Sequence, residues 1–425
     1  MLIGAKNDSG NTISERVVIG YDLNEANAQI SYCPLHTYEA ETVSSVMGDQ
    51  IYDIPTVLCK RFEVNQWYYG REALKRAKDG EGVLVEGLLE KARNGIFVVV
   101  EDEEYDPVLL LSLFVKKSLS ILSAVVPLNK IAGFMFTTDT IDEQTVKIFQ
   151  TIVEGLSLKT KQIFFQSHVE SFYDYTIHQE KDIWLGQVLA CEYEKEVLTT
   201  HRLEFNKNTT PVVAFSETEK FTNIEFGNKD RNFLNVLHKN CDGRYVSSIQ
   251  LIGNGFKEKW YDDSLKYMCV NRRVFAGNNL YSKGACYGML EKLSPSEIGN
   301  AHLYLGKDKL KANVGMDVLR RGQESYLALL DAGGNWYDAK AEVEFIMPED
   351  NKLTFKISSL IGSKVSNATM ELDGMVERET GTIRMNLQME MLSDTVVHVV
   401  VRDLGFGEFF PSTNQIWEKE IVLDI

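Results

Sequence analysis

The chain has 425 residues, 44% hydrophobic and 25% charged, with a net charge of −16. That length exceeds a single compact core and points to two or three domains. The acidic balance argues against nucleic acid or an anionic membrane as the main partner, because both select basic surfaces. The six cysteines (Cys33, Cys59, Cys191, Cys241, Cys269 and Cys286) are scattered, with no C-x-x-C pair and no histidine at metal spacing. Unpaired thiols in a reducing cytoplasm fit that pattern, acting mostly as small buried hydrophobes.

Residues 1–16 (MLIGAKNDSGNTISER) lack the charged-then-apolar plan of a secretory signal and read as a flexible arm. Residues 17–33 (VVIGYDLNEANAQISYC) hold two β-rich runs around DLNEAN, a hairpin. A second strand pair is expected over 56–69, then a short helix in EALKRAKDG ending near Gly80. The apolar run Pro107 to Pro127 carries Lys116 and Lys117 at its centre, so a buried helix is expected rather than a membrane span. IAGFMF (131–136) reads as a buried strand. Thr140 and Glu143 have the spacing of a capping box for a helix whose Val146, Phe149, Ile152, Val153 and Leu156 share one face. QIFFQ (162–166) is a strand and VESFYDYTIH a helix, an α/β alternation.

Residues 184–203 read as a hairpin turning at YEKE. A helix over 229–239, a strand in SSIQLIG (247–253) and a helix from about residue 258 follow. From about residue 305 the texture changes to short alternating strands, AEVEFIM, KLTFKI, IRMNLQMEM, TVVHVVV and KEIVLDI. This is a separate β-sandwich-like domain. The expected division is 17–304 and 305–425, with no internal sequence repeat.

The order of these pieces carries a resemblance. VVIGYDLNEANAQISY resembles the first phosphate-binding hairpin of the superfamily that contains actin, sugar kinases and DnaK-type chaperones. WYYGREALKRA (67–77), the run from IAGFMF to QIFFQ, LIGNGF (251–256) and NLYSKGACYGM (279–289) are similar to later chaperone segments in the same order. LIGNGF stands for the adenosine-binding turn. The stretch from MELDGM at 370 to LGFGE at 408 looks like the end of the chaperones' peptide-binding β-sandwich. More closely, the chain resembles a bacterial group of chaperone-like proteins. The resemblance implies an actin-like two-lobe ATPase fold (ribonuclease-H-like) followed by a β-sandwich, with ATP or ADP and magnesium between the lobes.

Set against that resemblance, the phosphate hairpins are altered. Phosphate-binding turns need little side-chain bulk, so glycine is usual. Asp22 keeps the acidic position that supports magnesium through water, but Leu23, Asn24 and Glu25 follow it where the family has Gly and Thr. The second hairpin, CEYEKEVL (191–198), has no glycine; Glu192 stands for the family Asp, Glu194 and Glu196 add negative charge, and Lys195 alone could meet a phosphate. Ser167 replaces the Glu that orients the attacking water, a main part of phosphoryl transfer, and Glu170 would point elsewhere. Better kept are Gly253, Asn254 and Gly255 for adenosine, with Arg272 and Arg273 able to cover a purine or phosphate; Gly284 and Ala285 read as packing residues. The subdomain that closes over the base in the chaperones is reduced to about residues 204–248.

Two readings follow. In the first, the protein is a non-hydrolysing chaperone-like scaffold that holds nucleotide weakly or not at all. It binds a protein or peptide through the β-domain, with Trp336, Tyr337, Phe409 and Phe410 as exposed contacts. Because the sequence ends on a strand at Ile425, no helical lid is expected to clamp such a peptide. In the second, Asp22 and Glu192 hold magnesium, Lys195 meets a phosphate, and the protein is an ATPase with divergent hairpins. A sugar or metabolite kinase is a third, opposed by the same hairpins.

Overall fold

The computed structural model describes residues 15–46, 48–156, 158, 160–347, 351–360, 364–376, 378–379 and 381–423. The arm expected over 1–16 therefore lies outside the described residues up to residue 14. The chain divides into two compact units, Met1–Leu303 and Tyr304–Ile425.

In the first unit β1 (Val17–Leu23) is buried along its whole length, which its apolar run VVIGY permits. It turns back into β2 (Asn27–Pro34), beside which lie β3 (Glu41–Thr42) and β4 (Ile54–Pro55). A small sheet follows in the order β6-β5-β7, made of β5 (Leu58–Arg61), β6 (Trp67–Tyr69) and β7 (Gly82–Val85). It carries α1 (Gly70–Lys78), and next come α2 (Leu88–Asn94), the hairpin of β8 (Val98–Val100) and β9 (Glu103–Tyr105), and α3 (Pro107–Ser118). Beyond Ser118 the expected helix tightens to a 3₁₀ turn over Leu119–Ala124. There Ser118, Ser120 and Ser123 donate to carbonyls three residues back, at 2.6–2.9 Å. Pro107–Ala124 is apolar and long enough to cross a membrane by composition, yet Leu110, Leu111, Phe114 and Val115 are buried within the unit.

The first sheet continues with β10 (Ile131–Thr138), α4 (Glu143–Leu156), β11 (Ile163–Ser167) and α5 (His168–Ile177). The cap of α4 differs from the expected box. Asp142 Oδ1 accepts from Thr145 N at 2.7 Å, while the Thr140 carbonyl accepts from Arg93 at 3.1 Å. The second sheet comprises β12 (Gln187–Glu194), β13 (Val197–Asn206), β14 (Val212–Phe221), β15 (Val246–Ile252) and β16 (Arg273–Ala276). Around it are α6 (Lys229–Cys241), α7 (Asp262–Met268) and α8 (Leu280–Leu293). The helix expected from about 258 thus starts later, at α7, whose first N–H groups donate to Asp230 from Asp263 and Ser264. The segment 204–248 contributes β14 and α6, both belonging to this sheet and its covering layer.

The sheets run β11-β10-β1-β2-β3, with β4 also beside β2, and β16-β15-β12-β13-β14, the second continued by one short last strand beside β14. In each, an antiparallel three-strand meander is extended by two strands parallel to its first. One topology is therefore used twice, although the two sequences show no repeat. One face of the first sheet is an aromatic layer of Tyr21, Phe134, Phe136, Phe149 and Phe165, with ring centroids 4.6–6.2 Å apart. Its other face takes α8, which follows the second sheet in the chain. Val18, Cys33, Ala132 and Met135 pack there on Ala285, Cys286, Met289 and Leu290. The approach is close because position 20 is glycine: a Cβ on Gly20 would lie 2.0 Å from the Ser282 carbonyl oxygen. α5 crosses α8 at Gly284, where a Cβ would lie 1.9 Å from the Ser171 carbonyl oxygen.

A last strand, β17 (His302–Tyr304), spans the division between the units. The second unit is all strand apart from a short 3₁₀ turn at Trp336–Asp338, among the described residues. β18 (Ala312–Arg320), β19 (Gln323–Leu330), β20 (Lys340–Ile346), β21 (Lys352–Ser359), β22 (Val365–Glu371), β23 (Arg384–Met391), β24 (Val396–Asp403) and β25 (Ile416–Val422) form two antiparallel sheets. Their orders are β19-β18-β21-β22 and β20-β23-β24-β25. Alternate residues are buried, as in Leu353, Phe355 and Ile357 on β21 and Val397, Val399 and Val401 on β24, so each sheet hides one face.

Candidate functional site

The two long hairpins of the first unit reach one cleft, and their turns are built differently. In the first, Asn24 N donates to Asn27 O at 3.1 Å, and Asn24 Oδ1 accepts from Ala26 N and Asn27 N at 3.0 and 2.9 Å. An asparagine side chain thus does the work of a glycine turn. In the second, Glu194 pairs with Val197, and Lys195 and Glu196 sit at φ 46° and 65°. This is the left-handed two-residue turn that glycine and asparagine favour, held by two residues with β-carbons. Replacing the pair by Asn-Gly (Lys195→Asn with Glu196→Gly) is expected to stabilise the unit by about 1 kcal/mol. Urea unfolding measures this; a loss of stability would mean that the two side chains contribute more than their backbone costs.

By hairpin register Asp22 and Glu192 are equivalent: each lies two residues before the residue that opens its turn. Each is engaged by a residue from the first turn of a helix. Ser167 caps α5, its hydroxyl accepting from Glu170 N at 3.3 Å, and the next residue, His168, places Nε2 2.7 Å from Asp22 Oδ1. Asp22 and His168 are each only 2% exposed. Burial alone would lower the His168 pKa, but the charge and hydrogen bond of Asp22, with Glu192 and Asp139 nearby, raise it above the usual histidine value. On the other side, Tyr281 of α8 donates to Glu192 Oε2 at 2.8 Å, and His201 Nε2 stands 3.9 Å from the same oxygen. Burial opposes the charge on Glu192, yet His201, His168 and Tyr281 together hold its carboxyl below the ordinary range. The His168 and Tyr281 rings stack at 3.9 Å with a 5° interplanar angle. A continuous chain of Asp22, His168, Tyr281 and Glu192 therefore joins the hairpins across the cleft floor.

Above this floor lies a cavity of about 210 Å³. Among the described residues six carboxylates line it, Asp22, Glu25, Asp53, Asp139, Glu192 and Glu194, with Arg93, Lys195 and His168 as the cationic side chains. Glu25 Oε2 accepts from Glu90 N at 2.8 Å and Glu194 Oε1 from Asn254 N at 2.6 Å; burial pushes both carboxyls up. Burial also opposes the charge on Asp139, but Arg93 at 2.9 Å holds that carboxyl below its usual value. Asp53 accepts from Gln29 Nε2 at 2.7 Å.

Of the residues singled out in the sequence, Asp22, Asn24, Glu192, Lys195, Gly253 and Asn254 meet in this cavity. Gly253 has φ +100° and approaches Tyr193, whose carbonyl oxygen would stand 2.4 Å from a Cβ there. Gly255 is not part of the lining: it gives room to the Tyr193 ring, 2.2 Å from its would-be Cβ. Arg272 and Arg273 are likewise absent from the lining, because edge strand β16, which Arg273 opens and Arg272 precedes, lies away from it. Arg273 pairs with Glu180 and Asp182, and Arg272 lies over the Tyr267 ring at 5.0 Å. His168, Tyr281, Gln29, Asp53, Arg93 and Asp139 were missed. The only signal for His168 was its place directly after a helix-capping serine.

In the second unit the four aromatic residues separate. Trp336 is 6% exposed and is a core residue, not a surface contact: its backbone N–H donates to the Asp308 carbonyl at 3.0 Å, which ties the 3₁₀ turn to the preceding segment. Tyr337 is half-buried, its hydroxyl accepting from Asn335 Nδ2 at 2.9 Å. Phe409 is 92% exposed and Phe410 half-buried. Both sit on a loop fixed at its root by buried Asp403. That carboxylate accepts from Gly405 N, Thr413 N and Thr413 Oγ1 at 2.7–2.8 Å and from Arg378 at 3.1 Å. The loop is thus anchored at its root, with the exposed Phe409 ring towards its tip.

Comparison with known proteins places the chain in a family by a match that begins after the first hairpin. Residues 39–307 match the C-terminal region of a family of unknown function, DUF5716, and the chain belongs to that family. Residues 309–423 match a domain of unknown function, DUF8552. No curated protein matches the chain.

Proposed function

We propose that this is a chaperone-like protein of actin-like fold whose cleft no longer hydrolyses ATP and which works as a protein-binding scaffold in the cytoplasm. The duplicated sheet order, with a hairpin from each sheet facing one cleft, supports the fold that the sequence resemblance implies. The observation that carries the loss of activity is the buried Asp22–His168 pair. A carboxyl closed off by a hydrogen-bonded imidazole does not serve the waters of a magnesium ion. The residues present do not fit a magnesium nucleotide: Glu25, Glu192 and Glu194 line the cleft where the resemblance would put its phosphates, and the cavity is below the about 300–1,000 Å³ of ordinary ligand pockets. Binding of a protein or peptide falls to the second unit, where Phe409 and Phe410 on their braced loop supply rigid apolar contact.

Calorimetric titration of the nucleotide-stripped protein with ATP and magnesium tests this reading. No binding at millimolar nucleotide and no turnover are expected. Micromolar binding with turnover that Asp22→Ala removes would instead establish an ATPase with divergent hairpins.

A further inference from the structure

Two amide oxygens in the cleft stand apart from its carboxylates. Gln29 is 3% exposed, and its Nε2 is committed to Asp53 Oδ1, which fixes the amide with Oε1 as an acceptor. That Oε1 has no hydrogen-bond partner among the described residues, and neither has Asn254 Oδ1. Both residues line the cavity. Buried acceptors are normally satisfied, and one left open marks where a donor belongs. A cationic donor suits the lining best, because its carboxyl groups outnumber its basic side chains six to three.

We propose that the cleft between the two hairpins binds a short organic polycation, a linear diamine or triamine, through these amide oxygens and the carboxylates of Asp53 and Glu194. Ammonium groups carry three donors each and no acceptor, which matches a lining of oxygens. A compact metal ion fits less well: among the described residues no three His, Cys, Asp or Glu side chains converge as ligands. Spread carboxylates suit charges spread along a chain. The cavity of about 210 Å³ also suits a short amine better than a nucleotide. The inference rests on the chemistry of the cleft and is independent of the actin-like reading.

Calorimetric titration of the full chain with spermidine at low salt tests it, with Gln29→Met and Glu194→Gln as variants and thermal unfolding as the check that each is folded. Saturable one-to-one binding is expected, weakened about ten-fold or more in each folded variant. Absence of saturation at millimolar spermidine would overturn the proposal, as would equal affinity in both variants, which means surface association. Saturation by magnesium or calcium alone, with the same variant losses, would overturn it in favour of a metal site. Micromolar nucleotide binding with turnover in a parallel assay would defeat the scaffold reading while leaving the amine result to decide this one.

Discussion

Replacing Gly284 with alanine is expected to destabilise the first unit by about 3 kcal/mol or more. The added carbon would lie 1.9 Å from the Ser171 carbonyl oxygen and 2.6 Å from its carbon, and both are backbone atoms. A flexible side chain can swing away from such a clash; a helix backbone cannot. α5 and α8 would have to separate, and both pass their first-turn residues, His168 and Tyr281, to the cleft floor. The stack between those rings should loosen with them. Urea unfolding measures the stability. Gly155→Ala is the control, since nothing lies within 4 Å of a Cβ there, and it is expected to be neutral or slightly stabilising. A Gly284→Ala protein as stable as that control would refute the crossing described for the two helices.

Removing the His168 imidazole (His168→Ala) is expected to cost about 3–5 kcal/mol, because burial already pushes the Asp22 carboxyl above its usual pKa and His168 is the partner that opposes that shift. Removing both partners with matching shape, Asp22→Leu with His168→Phe, keeps a ring against Tyr281 and should recover most of that loss. The pH dependence separates charge from packing. The folded pKa of His168 is raised, so its contribution is complete below its unfolded value, about 6.5, and is lost as pH rises through the folded value. The advantage of the natural protein over the double variant should therefore shrink as pH rises above about 6.5. An advantage that stays constant over that range would show the pair to be neutral and held by packing alone.

The hairpins could be read from the sequence because their signals are local: β-rich runs of the right length flank residues that favour turns. What the strands bring together is not local. Asp22 and His168 are 146 positions apart, and nothing in QSHVES announces that the residue after the capping serine reaches β1. Their meeting depends on β1, β10 and β11 running parallel side by side, which sets the start of α5 beside the end of β1. Tyr281 was hidden in the same way. It sat in a stretch read for its glycine and alanine, while the tyrosine bore on the cleft. The repeated sheet order was invisible because it survives as pairing pattern and not as sequence.

Aromatic residues show a second limit. Trp336 and Phe409 both stand among turn-forming residues, and no local feature separates them. A hydrogen bond from Trp336 to Asp308, 28 positions earlier, buries the first, whereas the braced loop holds the second out. Arg272 and Arg273 failed for a related reason. Their closeness in sequence to the Gly253–Gly255 turn suggested closeness in space, but the intervening α7 carries the chain to the sheet edge.

The packing of α8 on the first sheet also bears on how the protein is made. Ser31 on β2 bonds to Ser282 on α8 across 251 positions of chain. At ribosomal speeds of about 5–20 residues per second, α8 is synthesised roughly 10–50 s after the strand it covers. Throughout that interval the apolar face around Val18, Cys33 and Met135 has no cover of its own. The nascent first sheet is therefore a hydrophobic surface that waits for its lid, and it is then that the growing chain is itself most in need of a holdase.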